Sequence, residues 1–125
     1  MRRKKAIVPL GETEMEVLRE VWALGEATVA DVHDRLSVER KLAYTTVMTV
    51  MRKLAAKGYL TAEREGTRDR YRAARDPEEV RHSLLRDLMG HAFDGSPLAL
   101  VQTLVGKEKL SDDERAEIRR LMDEM

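Results

Sequence analysis

The chain has 125 residues, with 23 Lys and Arg against 23 Asp and Glu, 37% charged residues, 4% aromatic residues and no cysteine. This composition excludes a disulfide scaffold and a thiolate metal site, and the charge density is too high for a membrane protein. The periodic apolar residues exclude a disordered chain. We therefore expect a soluble, cytoplasmic protein without membrane insertion, built as one compact domain or two very small units.

Charge is distributed unevenly along the chain. Residues 1–5 carry four positive charges, residues 6–39 a net charge of −6, residues 40–75 a net charge of +7 and residues 76–125 a net charge of −5. A basic middle segment between acidic ones indicates a positive face directed at a polyanion. The alternative is that the charged runs are solvated helix faces.

The first elements are predicted from apolar spacing and caps. Apolar residues at helical spacing predict a first helix over Glu12–Leu24. A short β-branched stretch follows at Ala27–Val29. Thr28 is a candidate N-cap for a second helix that ends at Leu36, with Asp31 as the acidic partner in a capping box.

A third helix and a hairpin follow. The spacing predicts the helix over roughly Ala43–Lys57. One face of this helix is expected to carry an apolar stripe made of Ala43, Val47, Val50, Met51 and Leu54. Strands are predicted over Tyr59–Glu65 and Arg70–Ala74, joined by a turn that contains Gly66. The order helix, small strand, helix, helix, hairpin is that of a winged helix-turn-helix.

The rest of the chain predicts three amphipathic helices. A long helix begins at Pro77, a short helix covers Leu98–Val105 between two glycine breaks, and a last helix starts at a capping box over Ser111–Glu114. Three such helices are too few for an independent core, and a second copy of the chain is the simplest partner. We expect the following apolar residues in the dimer core: Leu98, Leu104, Leu110, Ile118, Leu121 and Met122.

The predicted fold is mainly α with a small β-hairpin. We expect a winged-helix DNA-binding domain at residues 1–75, in which residues 1–9 form a basic flexible arm. A helical dimerisation domain is expected at residues 76–125.

The outward face of the third helix is unusual for a solvated helix. Threonine and valine crowd residues 45–50, and each lowers helix stability by roughly 0.5–0.7 kcal/mol relative to alanine. Threonine suits base edges in the major groove, and basic side chains suit phosphates. We expect DNA contacts from this helix and the hairpin at Thr45, Thr46, Met48, Thr49, Arg52, Lys53, Arg68 and Arg70. The alternatives are that Thr45 or Thr46 caps the helix and that Arg70 and Arg72 protect a sheet edge.

Three stretches of the sequence form a recognisable combination. They are Leu10–Leu18 leading to Val21 and Trp22, Ala43–Val50 with the sequence Ala-Tyr-Thr-Thr-Val-Met-Thr-Val, and Leu54–Gly58. In these stretches the chain resembles the penicillinase repressor family of the BlaI/MecI type, essentially over its whole length from Leu10. The resemblance implies a dimeric repressor with an N-terminal winged helix and a C-terminal helical dimerisation domain.

The resemblance also implies partners and site residues. Members of the family bind palindromic double-stranded operators in front of antibiotic-resistance or related genes, here β-lactam-resistance or related stress genes. The family positions that face the operator match Thr45, Thr46, Met48, Thr49 and Lys53. In the β-lactam-responsive branch a membrane sensor protease system triggers cleavage in the short helix, and the matching pair is Thr103 and Leu104. The cysteine cluster of the copper-responsive branch is missing.

The sequence offers little for catalysis or metal binding. His33, His82 and His91 are scattered, and the sequence contains neither a serine nucleophile motif nor a glycine-rich phosphate loop. Asp87 and His91 lie one helical turn apart, which suits a metal ion or an ordinary surface pair. We expect no enzyme activity, no metal and no cofactor. The alternatives to a repressor are a winged-helix protein-interaction module and a ligand- or metal-sensing regulator of the same fold.

Overall fold

The computed structural model describes residues 10–125, so the predicted basic arm at residues 1–9 lies outside the described residues. The elements follow one another as α1 Glu12–Leu24, β1 Glu26–Ala27, α2 Val29–Leu36, α3 Tyr44–Ala56, β2 Leu60–Glu65, β3 Arg68–Ala73, α4 Pro77–Ala92, α5 Pro97–Lys107 and α6 Asp112–Asp123. The predicted winged-helix order and the mainly α class are confirmed.

The chain divides into two compact units, one ending at Ser83 and the other spanning Leu84–Met125. The division falls inside α4 because the first turn of that helix packs with the first unit. Val80 is 1% exposed, and the guanidinium of Arg81 lies 5.2 Å from the ring centre of Trp22 in α1.

The core of the first unit lies between α1, α2, α3 and the sheet. Each helix contributes one apolar face, as the helical spacing predicts. The buried residues of these helices are Val17, Leu18, Val21, Val32, Leu36, Val47, Met51 and Leu54. Tyr59, Leu60 and Tyr71 close the core from the hairpin. The fit of α3 into this core fixes which of its faces points outward.

The sheet has three antiparallel strands in the order β1-β3-β2. The short strand predicted at Ala27–Val29 is observed at Glu26–Ala27, paired with β3. Its early end follows from the capping box at Thr28, because the helical backbone begins with the next residue. Thr28 Oγ1 accepts the amide of Asp31 at 3.2 Å, and the Asp31 carboxylate accepts the amide of Thr28 at 2.9 Å.

The second unit contains the last part of α4 with α5 and α6. The capping box predicted at Ser111 is confirmed, with both hydrogen bonds to Glu114 at 3.0 Å. The predicted end of the short helix at Val105 is wrong, since α5 continues through Gly106 to Lys107. Ser96 caps its N-terminus and accepts the amide of Ala99 at 3.0 Å. Within residues 10–125, none of the helices is both long and apolar enough to span a bilayer.

Candidate nucleic-acid interface

Helix α3 presents two adjacent rows of side chains at four-residue spacing, which lie along one face of a helix. Thr45, Thr49 and Lys53 form one row, and all three are exposed. Tyr44, Met48 and Arg52 form the other row, which lines a groove beside the hairpin. Thr46 is exposed in the first turn, whereas Val47, Met51 and Leu54 are buried behind these rows.

The start of α3 contradicts the capping alternative for its threonines. The N-cap is Ala43, which the sequence had placed on the apolar stripe although its side chain is exposed. Thr45 and Thr46 follow inside the helix and cap nothing at its N-terminus. Threonine on this exposed face therefore requires an explanation other than helix capping, and contact with a partner supplies one.

Helix α2 holds the segment that leads into α3. The Nε2 atom of His33 donates a hydrogen bond to the backbone carbonyl of Leu42 at 2.8 Å. The ring of His33 also contacts the ring of Tyr44 edge to face, with 5.7 Å between the ring centres. His33 thus acts as a structural residue that fixes the first turn of α3 against α2.

The hairpin has two chemically different faces. Residues paired across an antiparallel ladder share a face, and faces alternate along each strand. The pairs Ala62–Tyr71 and Arg64–Asp69 share the face of the groove, whereas the pairs Thr61–Arg72 and Glu63–Arg70 share the opposite face. The two strands meet at a two-residue turn where Gly66 has φ +66°, a conformation that favours glycine.

An open groove of about 330 Å³ lies between α3, the start of α2 and the hairpin. Arg52 enters it from α3, and Arg64, Thr67 and Arg68 enter it from the hairpin. The Arg64 side chain is 67% exposed and lies 3.4 Å from the Asp69 carboxylate. Three guanidinium groups around one open groove suit a polyanion, because arginine donates several hydrogen bonds in a fixed geometry.

Tyr71 forms part of the lining of this groove. The residue is 2% exposed, and Arg52 lines the same groove. Burial raises the pKa of the Tyr71 hydroxyl, and the nearby charge of Asp69 acts in the same direction against the smaller opposing effect of Arg52. The hydroxyl therefore stays neutral and protonated around neutral pH.

Arg70 is not brought together with the other predicted DNA contacts. It lies on the sheet face opposite the groove, where its guanidinium makes hydrogen bonds of 3.1 and 3.2 Å to the Glu65 carboxylate. Glu26 lies 3.8 Å from both Arg70 and Arg72, and Glu63 lies 3.1 Å from Arg72. The carboxylates of this face neutralise its arginines.

The predicted DNA contacts do not include three residues that line the groove, Tyr44, Arg64 and Thr67, although Arg64 belongs to the basic residues of the predicted hairpin. The strand register could have identified Arg64. A two-residue turn at Gly66 pairs Arg64 with Asp69, and this pair lies on the same face of the hairpin as Tyr71. The sequence favoured Arg68 and Arg70 as the hairpin contacts and did not select Arg64. The register separates Arg64 from Arg70.

The Asp87 and His91 pair has a structural explanation. The Nδ1 atom of His91 contacts the backbone carbonyl of Asp87 at 2.8 Å, within α4. Over residues 10–125 there is no group of three or more His, Cys, Asp or Glu side chains that could hold a metal ion.

Comparison with known proteins identifies the family. The sequence profile of the penicillinase repressor family matches residues 10–124. The transcriptional regulator BlaI of Mycobacterium tuberculosis is 36% identical over 118 residues, which are 93% of this chain and 84% of that protein. The methicillin resistance regulatory protein MecI of Mammaliicoccus sciuri is 21% identical over 113 residues, which are 90% of this chain and 92% of that protein.

A solved structure matches part of the fold. The solution structure of monomeric Bacillus licheniformis BlaI in complex with the blaP half-operator covers 61% of this chain and 93% of that chain. The TM-score is 0.51 and the sequence identity is 25%. The profile match over nearly the whole chain and the identity to a BlaI relative agree with the winged-helix architecture. The chain therefore belongs to the penicillinase repressor family of transcriptional regulators.

Proposed function

We propose that this protein is a transcriptional repressor that binds a palindromic double-stranded operator as a homodimer. The observation that carries the proposal is the exposed threonine row of α3 beside the arginine-lined groove. The Bacillus licheniformis relative, solved in complex with a half-operator, supports DNA as the ligand of this face. A cytoplasmic location and the absence of enzyme activity belong to the same proposal.

The residues of this face make two kinds of contact with DNA. Thr45, Thr46, Met48 and Thr49 read bases in the major groove, where threonine can contact thymine methyl groups and base edges. Lys53, Arg52, Arg64 and Arg68 contact backbone phosphates, which supply affinity and carry no direct sequence information. Arg70 makes no phosphate contact, since it lies on the face of the hairpin opposite the groove, where it is bound to Glu65.

The homodimer is supported by apolar surface in the second unit. Leu98 is 66% exposed, Leu121 51% and Met122 68%, and α5 adds further exposed aliphatic side chains. Exposed apolar surface on this scale marks an interaction site. A second copy of the chain covers these residues, together with Leu104, Leu110 and Ile118. Two linked reading heads then bind a palindrome far more tightly than one.

The proposal extends to the regulated genes and to the release step. The methicillin resistance regulator among them supports β-lactam-resistance or related stress genes as targets. Release occurs when a membrane sensor protease system leads to cleavage between Thr103 and Leu104 in α5. Both residues are exposed, and Gly106 lies within the same helix, where glycine lowers helix stability.

The test begins with selection of duplexes from a randomised DNA pool by the wild-type protein. Affinities for the enriched duplex and a scrambled one are then measured at several salt concentrations. Thr45→Ala and Thr49→Ala should reduce the preference for the enriched duplex by about 1–3 kcal/mol and leave binding to the scrambled duplex unchanged. Lys53→Ala should weaken binding to both duplexes. It should also reduce the slope of log affinity against log salt concentration by about 0.9 in magnitude.

The matched control is Thr61→Ala, because Thr61 is exposed on the opposite face of the hairpin. This variant should retain the wild-type affinity and preference. Failure of the pool to yield any enriched duplex would contradict the proposal. Thr45→Ala and Thr49→Ala variants with full sequence preference would show that another surface reads the bases.

A further inference from the structure

Tyr44 is an exposed aromatic residue at the start of α3. It is 47% exposed and lines the open groove between α3, the start of α2 and the hairpin. Met48 and Arg52 follow it at four-residue spacing in the same row. Within residues 10–125, the hydroxyl of Tyr44 makes no hydrogen bond with another residue. Its donor is therefore available to a ligand in the groove.

His33 is fixed in place by a backbone carbonyl. Its Nε2 atom lies 2.8 Å from the carbonyl oxygen of Leu42. Because a carbonyl oxygen can only accept, this nitrogen must carry the proton and donate the hydrogen bond. Ser37 Oγ lies 3.4 Å from the same nitrogen, at the limit of a hydrogen bond. The imidazole of His33 is thus anchored to the segment that leads into α3.

The anchored imidazole in turn contacts the ring of Tyr44. The ring centres are 5.7 Å apart and the angle between the ring planes is 66°, the edge-to-face arrangement that aromatic pairs prefer. Leu42 and Tyr44 stand on either side of Ala43, the N-cap of α3. His33 therefore contacts the chain on both sides of the residue where the helix begins. The Tyr44 ring loses part of its freedom before DNA binds, so less conformational entropy is lost on binding.

The other groups around the groove indicate which part of DNA the hydroxyl meets. Arg52, Arg64 and Arg68 line the same groove, and guanidinium groups suit phosphate oxygens. Tyrosine hydroxyls are among the groups that donate hydrogen bonds to phosphates in protein–DNA complexes. A phenol carries no charge, so its contact displaces no counterion from DNA. The contact of Tyr44 therefore differs in kind from those of the arginines.

We propose that Tyr44 is a further DNA-contact residue whose hydroxyl donates a hydrogen bond to a phosphodiester oxygen of the DNA backbone, and that His33 is the positioning residue for its ring. The proposal rests on the proposed DNA-binding function. It adds a contact that raises affinity for every duplex, whatever its sequence, and that contributes nothing to the salt dependence of binding.

The first experiment measures Tyr44→Phe on the enriched duplex and on a mixed-sequence duplex over a series of salt concentrations. The substitution removes the hydroxyl and keeps the ring that contacts His33. It should weaken binding to both duplexes about three- to tenfold, the effect of one hydrogen bond. The slope of log affinity against log salt concentration should stay unchanged, because no charge is lost. Lys53→Ala is the comparison, since it should weaken both duplexes and reduce the slope by about 0.9 in magnitude.

The second experiment tests the positioning role with His33→Gln, which keeps an N–H donor for the carbonyl of Leu42 and removes the aromatic ring. It should weaken binding by part of the factor found for Tyr44→Phe, and it should cause no further loss in the Tyr44→Phe background. Ser37→Ala on the same side of α2 is the control and should retain the wild-type affinity. In the free wild-type protein, NMR should show cross-relaxation between the ring protons of His33 and Tyr44.

The outcomes separate the two proposals. Wild-type affinity for Tyr44→Phe would overturn the contact and leave DNA binding intact, and a loss confined to the enriched duplex would overturn the assignment to a phosphate. An equal effect of His33→Gln with and without the Tyr44 hydroxyl would overturn the positioning role. If His33→Gln prevents folding, the wild-type NMR measurement decides this role, and absence of the cross-relaxation would overturn it. A wild-type protein that binds no duplex at low salt would overturn both proposals.

Discussion

The ammonium group of Lys57 donates a hydrogen bond of 2.8 Å to Oε1 of Glu14, which ties the end of α3 to the first turn of α1. The same oxygen accepts the backbone amide of Gly11 at 2.8 Å. The Gly11 bond, followed by Lys57, holds the pKa of Glu14 below its ordinary value of 4.5, although burial acts in the opposite direction. The orientation of the proposed reading helix thus depends on an ionised Glu14.

Glu14→Gln should lower the free energy of unfolding at neutral pH by about 1–2 kcal/mol. The native pKa of Glu14 is below its unfolded value, so the stabilisation is complete above the unfolded pKa and is lost as pH falls through the native pKa. Urea unfolding of both proteins at one protein concentration should therefore give stability curves that converge in acid.

The control for this substitution is Glu12→Gln. Glu12 is exposed in the same first turn of α1, so its replacement removes the same charge from the same helix end. We expect a change within about 0.5 kcal/mol that does not vary over the same pH range. Curves for Glu14→Gln that stay parallel to the wild type down to low pH would rule out a special role for its carboxylate.

Titration of Tyr71 reports on the charges around its hydroxyl. Burial and Asp69 raise the pKa of Tyr71, and Arg52 lowers it. Arg52→Ala should therefore raise the pKa of Tyr71 further, whereas Asp69→Asn should lower it. NMR of tyrosine labelled at the ring carbon next to the hydroxyl can follow this titration. Lys53→Ala is the matched loss of a cation from α3, and a shift equal to that of Arg52→Ala would argue against a specific effect of Arg52.

The two faces of the hairpin should contribute unequally to DNA binding. Arg64→Ala and Arg70→Ala each remove one positive charge from the same hairpin. Arg64 lines the groove, and Arg70 is bound to Glu65 on the other face. We expect Arg64→Ala to reduce affinity and to lower the salt slope by about 0.9, and Arg70→Ala to change neither appreciably. Equal losses, measured by fluorescence anisotropy over a salt series, would mean that only total charge matters.

The sequence predicts the helices and their order because the capping residues and the apolar stripes indicate the same helices. The Thr28 and Ser111 capping boxes and the apolar stripe of α3 are examples. The roles of Arg64 and Arg70 could not be predicted from charge, since they depend on the strand register and on which glutamate lies opposite. Gly106 was expected to end a helix, but φ is not positive there, and its helix continues for one more residue.

The proposed dimer predicts that a charged side chain introduced into the apolar surface of the second unit prevents association. Leu121→Glu should yield a monomer at micromolar concentration by sedimentation, because an unpaired carboxylate in an apolar interface is costly. Val38→Glu is the control, since Val38 is 84% exposed in the segment between α2 and α3. It should sediment like the wild type. A wild-type chain that is monomeric at this concentration would refute the dimer.

Limited proteolysis tests the release step. The first cut in the free protein should fall within residues 95–106, ahead of any cut at the Gly66 turn. Gly106→Ala adds a methyl group in open space and should slow this cut, because alanine stabilises a helix by roughly 0.5–1 kcal/mol relative to glycine. Gly90→Ala in α4 should leave the rate unchanged. A first cut at Gly66 would argue against α5 as the weak segment.

The strand register of the hairpin restricts which insertions and deletions it can accept. Leu60 is buried at one end of β2, and Arg64 faces the groove four residues later. Loss of a single residue between them would either expose Leu60 or turn Glu63 and Glu65 towards the groove. Only insertions or deletions of an even number of residues are therefore tolerated in this interval. Beyond Arg64 and Asp69, one residue can be added to each strand without changing the face on which Arg64 lies. The length of the hairpin along DNA can therefore change while Arg64 stays on the side of the groove.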